Sequence, residues 1–164
     1  TPAIPAMLDQ IGALTETQLG AISGDQLKVL TTAQLGALTD AQIPQISATA
    51  LPSMTAAQIG ALSQAQVAAL DADTQITVLT AAQIYGFKDA GIKGLTIGQI
   101  GALANTQTTS INAGEGLKAA QLKIMTNEQL GAFSDEVVAA LTAAQVTGLS
   151  STQITALGWV APSA

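Results

Sequence analysis

The sequence contains no cysteine and no histidine. It contains no arginine either, so its five basic residues are all lysines. These absences remove disulfides and thiolate metal sites, the commonest general base and metal ligand, and the planar fork that grips phosphate or carboxylate at two points. Aromatic residues make up 2% of the chain and charged residues 10%. The charged share is far below the usual quarter, so the polar surface has to be built from Gln, Thr, Ser and Asn. A net charge of −6 argues against a nucleic-acid partner. No run approaches the roughly 18 uninterrupted apolar residues of a membrane span. The opening Thr1-Pro-Ala-Ile-Pro5 has neither the basic segment nor the apolar core of a secretory leader. No cofactor, metal or catalytic constellation is expected, and the chain is read as a non-enzyme. What remains is an apolar share of 48% over 164 residues, enough for one domain with a real core.

That apolar share is organised by a repeat. In Thr39-Asp-Ala-Gln42-Ile43-Pro-Gln-Ile46 a hydroxyl residue is followed three places on by Gln, then by an aliphatic, then by a second aliphatic three further. The next Ser or Thr restarts the unit after eight residues. Thr15 and Gln18, Ser23 and Gln26, Thr31 and Gln34, Thr55 and Gln58, and Ser63 and Gln66 keep the step. It continues in Thr80 and Gln83, Thr96 and Gln99, Thr126 and Gln129, Thr142 and Gln145, and Ser150 and Gln153. Ala50, Gly91 and Val137 stand where Gln is expected. One extra residue enters at 71–75. The stretch 107–120 is the worst fit and reads as two octads about two residues short. The divisions are a lead-in at 1–9, the octad array at 10–157, and a cap at 158–164 carrying Trp159.

Ser/Thr-x-x-Gln is a capping box, in which the hydroxyl accepts from the N3 amide and the Gln side chain returns to the cap amide. One box every eight residues means one helix start every eight residues, each helix about one and a half turns long. A continuous helix fails, because eight residues at about 100° each leave the aliphatic stripe drifting by about 80° per unit. A strand fails because aliphatics three apart would face opposite ways. The acids support the short helices. Asp9, Glu16, Asp25, Asp40, Asp73, Asp89, Glu128, Asp135 and Glu136 fall one or two places before the Gln slot, where carboxylates complement a helix N-terminus.

The expected fold is therefore an all-α repeat solenoid of short helices in 8-residue units. Lys28, Lys93 and Lys123 recur in alternate units, which suggests about 16 residues per two-helix coil. At 8–10 Å per layer, about nine such coils make a rod of roughly 75–90 Å.

Few residues point beyond architecture. The hydroxyl ladder has the regularity of an ice- or glycan-facing array, but capping already uses those oxygens. Asp71-Ala-Asp73 has two carboxylates at a calcium-like spacing without the glycine turn or the closing Glu of such a loop, and also reads as a cap followed by an N2 acid. The 107–118 loop interrupts a regular scaffold, a common place for binding function. The candidate binding surface is Tyr85 with Thr108, Thr109 and Ser110. Phe87 and Phe133 occupy second aliphatic slots and belong to the core.

The segments Leu-Thr-Thr-Ala-Gln-Leu-Gly-Ala-Leu-Thr (30–39) and Leu-Thr-Ala-Ala-Gln (141–145) resemble the Ala/Thr/Gln-rich LTxxQ repeats of very large bacterial secreted or surface proteins, adhesin-like ones among them. The resemblance covers nearly the whole chain. It implies an extracellular or bacterial cell-surface setting, membership of a larger chain, and a structural role as stiff spacer or scaffold. Self-association belongs with that structural role; the alternative is a binding module that adheres to a protein or glycan through one solenoid face or the 107–118 loop.

Overall fold

The computed structural model describes residues 10–108 and 116–161. The described residues are all-α, a succession of α-helices four to seven residues long interspersed with 3-10 turns at Ile11–Ala13, Ile43–Gln45, Leu51–Ser53 and Ile76–Val78. There is no strand among them. Two of the 3-10 turns carry proline at their start, Pro44 and Pro52. A helix this short does not stand alone in water, so each must be held at its termini and along its apolar side.

The N-termini are held as the octad predicts. At Ser63 the hydroxyl accepts from the Gln66 N–H at 3.2 Å, and the Gln66 Oε1 accepts from the Ser63 N–H at 2.9 Å. The same reciprocal pair closes at Thr55, Thr80, Thr96, Thr126 and Ser150. Helical first turns carry Glu16, Asp25, Asp89, Glu128, Asp135 and Glu136. The aliphatic pairs three apart, such as Leu27 with Leu30 and Leu35 with Leu38, are buried in one continuous cluster that includes Phe87 and Phe133. Each pair is also joined through the backbone, as when the Leu30 N–H donates to the Leu27 carbonyl at 3.1 Å.

The chain's return onto itself differs from the expected 16-residue coil. Helix Ala56–Ile59 packs on Ala81–Gly86, Gln64–Ala68 on Asp89–Gly94, and Asn127–Leu130 on Ser151–Leu157. In each case the partner is the third element along. Octad neighbours two apart do not form the packed pairs. The recurrence of Lys28, Lys93 and Lys123 has a simpler cause: all three are exposed, so that slot is free to carry a charge. Close packing three elements apart also explains particular glycines. A Cβ on Gly94 would stand 2.4 Å from the Gln64 carbonyl oxygen, and one on Gly86 the same distance from that of Ala56.

Candidate binding surface and the glutamine lattice

A short helix leaves carbonyls at its C-terminus as well as amides at its start without partners. The octad glutamines answer both needs. Gln66 spends its Oε1 on its own capping box and its Nε2 on the carbonyls of Leu35 (2.9 Å) and Leu38 (2.8 Å), 31 and 28 residues earlier. Gln58 reaches Leu27 and Leu30 in the same way, Gln83 reaches Leu51 and Met54, and Gln99 reaches Val67 and Leu70. Every such bond spans four elements, whereas direct helix packing spans three. Gln75, Gln83 and Gln99 are each 1% exposed, so an unpaired amide there would be costly. Among the described residues no buried side-chain polar atom lacks a partner.

The stretch 107–120 is corrected by the same bonds. The Gln145 Nε2 donates to the carbonyls of Thr108 and Leu117, both at 2.8 Å. The Leu117 N–H donates to the Thr108 carbonyl at 2.9 Å. Thr108 and Leu117 are thus the two slots of one octad, held apart by an insertion, rather than members of two shortened octads. Downstream, Gln121 bonds Ile84 and Phe87 at separations of 37 and 34, each six more than the usual 31 and 28.

Of the expected surface residues, Thr108 is not on the surface. It is 0% exposed, and its hydroxyl donates to the Ala104 carbonyl at 3.2 Å. It fills an aliphatic slot, where a β-branched residue of that size packs. Thr109 and Ser110 lie outside the described residues, as do 1–9 of the lead-in. Tyr85 is half-buried, and the Lys118 Nζ sits 3.9 Å from the centre of its ring. Lys118 stands in a cap position in place of a hydroxyl residue, and its N–H donates to the Gln121 Oε1 at 2.8 Å. The Gly116 N–H donates to the Ala81 carbonyl at 2.9 Å. This fastens the end of the insertion to the helix that carries Tyr85. Gly116 has φ +70°, a conformation that favours glycine. The Tyr85–Lys118 pair thus stands beside the insertion. Lys118 could not have been paired with Tyr85 from sequence, because their separation of 33 residues hides a four-element step.

The other motifs are used internally. The Asp71 carboxylate accepts from the Thr74 hydroxyl at 2.6 Å and the Thr74 N–H at 2.7 Å, which hold it below the ordinary aspartate range. The Asp71 N–H meets Gln75 four residues on, so the extra residue widens the box without opening it. The Glu136 carboxylate is likewise lowered, by its own backbone N–H and by the Ser134 hydroxyl. No group of three or more potential metal ligands occurs among the described residues. No helix described is long and apolar enough to cross a membrane. The Trp159 Nε1 donates to the Leu141 carbonyl at 3.3 Å.

No protein-family model, no curated protein and no solved structure matches the chain.

Proposed function

We propose that the chain is a non-catalytic structural module, a stiff spacer or scaffold within a bacterial secreted or cell-surface protein, folded as a solenoid of octads. The observation that carries this reading is the glutamine bond recurring from Gln42 to Gln153. Bonds four elements apart, with packing three elements apart, support a superhelix of between three and four short helices per turn. The stack then has roughly five turns and, at 8–10 Å per layer, a length of about 40–50 Å. Each turn is tied to the next by side-chain amides that are buried and fully bonded, which supports rigidity along the axis. The extracellular setting rests on the resemblance of the octads to LTxxQ repeats.

The natural absence of cysteine allows a direct test. Spin labels on Ala13→Cys and Thr155→Cys are expected to give one narrow distance distribution near 40–50 Å. A broad distribution, or one centred far below that range, overturns the solenoid spacer.

A second reading, adhesion to a protein or glycan, is favoured by the Tyr85–Lys118 pair at the insertion. It requires that retention on immobilised glycans or proteins be lost in a Tyr85→Ala, Lys118→Ala variant that still folds.

A further inference from the structure

Four of the five lysines fall on two helices that touch. Asp89–Gly94 packs on Ala119–Ile124. Lys88 and Lys118 stand at the N-caps of these helices, and Lys93 and Lys123 in their last turns. One side chain stacks the two N-termini. The Gln121 Oε1 accepts from the Lys118 N–H at 2.8 Å, and its Nε2 donates at 2.8 Å to the carbonyl of Phe87, the residue before Lys88. Lys88, Lys93 and Lys123 are exposed and Lys118 is half-buried. No ion pair engages any of them among the described residues. Gln64–Ala68 and Ala143–Val146 continue the same stack on either side. Across these four helices and their caps Asp89 is the only acid. A chain of net charge −6 therefore carries one basic face.

The slot of Lys93 and Lys123 tolerates a lysine, but the cap slot disfavours one. An ammonium has no acceptor for the N3 amide, and a cation opposes the helix dipole at its N-terminus. Lys88 and Lys118 forfeit the hydroxyl cap in two adjacent layers of one stack. Stability of the fold does not account for them.

We propose that this face binds a linear acidic polysaccharide, its carboxylates held by the four ammoniums and one sugar resting against Tyr85. The proposal gives the adhesion reading above a ligand class and rests on that reading. Cap and last-turn lysines are five residues apart, about 7–8 Å along the axis, and packed helices lie about 8–10 Å apart. Carboxylates that face one side of a linear chain, on alternate sugars, recur on this scale. Phosphates of a nucleic-acid strand, about 3.4 Å apart, are far denser, and the acidic remainder of the surface repels them. A membrane or a peptide takes apolar anchors, yet the large exposed apolar residues, Val29, Ile97 and Val160, lie on none of these helices. The neighbours are instead exposed Ser63, Gln64 and Thr142, which hydrogen-bond sugar hydroxyls, and the flat ring of Tyr85 beneath Lys118.

The test is retention of the 164-residue chain on immobilised polygalacturonate, beside dextran, poly-glutamate and vesicles of phosphatidylserine. Retention on polygalacturonate alone, falling as salt rises, is the expected result. The Lys88→Thr, Lys118→Thr variant should bind at least about tenfold more weakly, yet melt at a higher temperature, because threonine restores both caps. Lys28→Glu changes the net charge by the same amount on Gly24–Lys28, which packs on Leu51–Ser53 in another stack. Its retention should stay within about twofold of the parent's. A cap variant that binds equally or melts no higher overturns the proposal, as does a loss in Lys28→Glu that matches the cap variant's. Equal retention on poly-glutamate or on the vesicles overturns the polysaccharide as ligand. No retention on polygalacturonate, with retention on a neutral glycan or a protein still lost in Tyr85→Ala, Lys118→Ala, overturns the acidic-polymer face alone and leaves adhesion standing. No retention on any of them removes both.

Discussion

The Gln66 Nε2 donates to the Leu38 carbonyl at 2.8 Å, 28 residues earlier in the chain. The bond needs a neutral amide, because the same side chain must accept at its oxygen and donate at its nitrogen. Replacing Gln66 with Glu keeps the acceptor and forfeits the donor. It also places a carboxylate in a buried site facing two carbonyl oxygens. Desolvation and those oxygens both disfavour the charged form, so the new carboxyl has a raised folded-state pKa. Gln66→Glu is expected to destabilise the protein by about 3 kcal/mol at pH 7. With the folded pKa above the unfolded value, the deficit is largest above the folded pKa. It shrinks as pH falls through that value, because the protonated acid can donate again. Urea titrations of parent and variant at neutral and acid pH check this, and a deficit that does not change with pH counts against the lattice. Gln66→Ala should cost about 2–4 kcal/mol with little pH dependence.

Glycines separate into two kinds. A Cβ at Gly94 meets backbone, the Gln64 carbonyl oxygen at 2.4 Å, whereas a Cβ at Gly36 or Gly98 meets nothing within 4 Å. Gly94→Ala must push two packed elements apart and is expected to cost about 1–3 kcal/mol. Gly98 lies inside helix Ile97–Gly101 without a positive φ, so Gly98→Ala should stabilise by about 0.5–1 kcal/mol. Thermal melts of the two variants should move in opposite directions. Equal shifts would mean that the close approach of elements three apart is wrong.

Asp71 supplies a pH dependence of a different sign. Its carboxyl is lowered by the Thr74 hydroxyl first and the Thr74 N–H second. A carboxylate depressed in the folded state stabilises the fold above its unfolded pKa. That contribution is lost as pH falls through the folded one. Carbon-detected titration should place Asp71 below the ordinary aspartate value. Thr74→Val, which removes the hydroxyl donor but keeps the N–H, should raise Asp71 part of the way back. An unchanged titration in Thr74→Val removes the hydroxyl as the main cause.

The short helices, their caps and the buried aliphatic pairs were legible because each is a local consequence of residues within one octad. The return distance of the chain was not. Lys28, Lys93 and Lys123 suggested a two-octad coil, but an exposed slot tolerates lysine at any turn and carries no register. The informative signal was the absence of glutamate from the glutamine slot. A capping box accepts Glu as readily as Gln, and this acidic chain has acids at the two preceding positions, yet Glu never occupies the slot. Only a donor requirement removes Glu, and that requirement points to carbonyls outside the unit. Which carbonyls they are depends on how the chain returns onto itself, which no single octad encodes. Thr108 was misplaced for a related reason: an insertion between the two slots of one unit cannot be told by counting from two damaged units.

That insertion gives the clearest remaining test of the register. Ordinary octads place two residues between their aliphatic slots, as between Leu27 and Leu30, whereas eight separate Thr108 from Leu117. Deleting residues 109–114 restores the ordinary length. It leaves Gly116 to donate to Ala81 and Leu117 to donate to Thr108. The bonds from Gln121 to Ile84 and Phe87, and from Gln145 to Thr108 and Leu117, should survive. Loop closure changes only slowly with length, so the deletion is expected to alter stability by less than about 1 kcal/mol. Deleting two residues inside a regular unit, Ala143 and Ala144, instead makes Thr142 and Gln145 consecutive and destroys the three-residue spacing of their capping box. It also draws Gln145 away from its two carbonyls, and should cost about 3 kcal/mol or more. Denaturant titrations of both deletions decide between the two readings of 107–120. If the stretch were two shortened octads, removing six residues would break the register for everything after it, and the six-residue deletion would be the more damaging of the two.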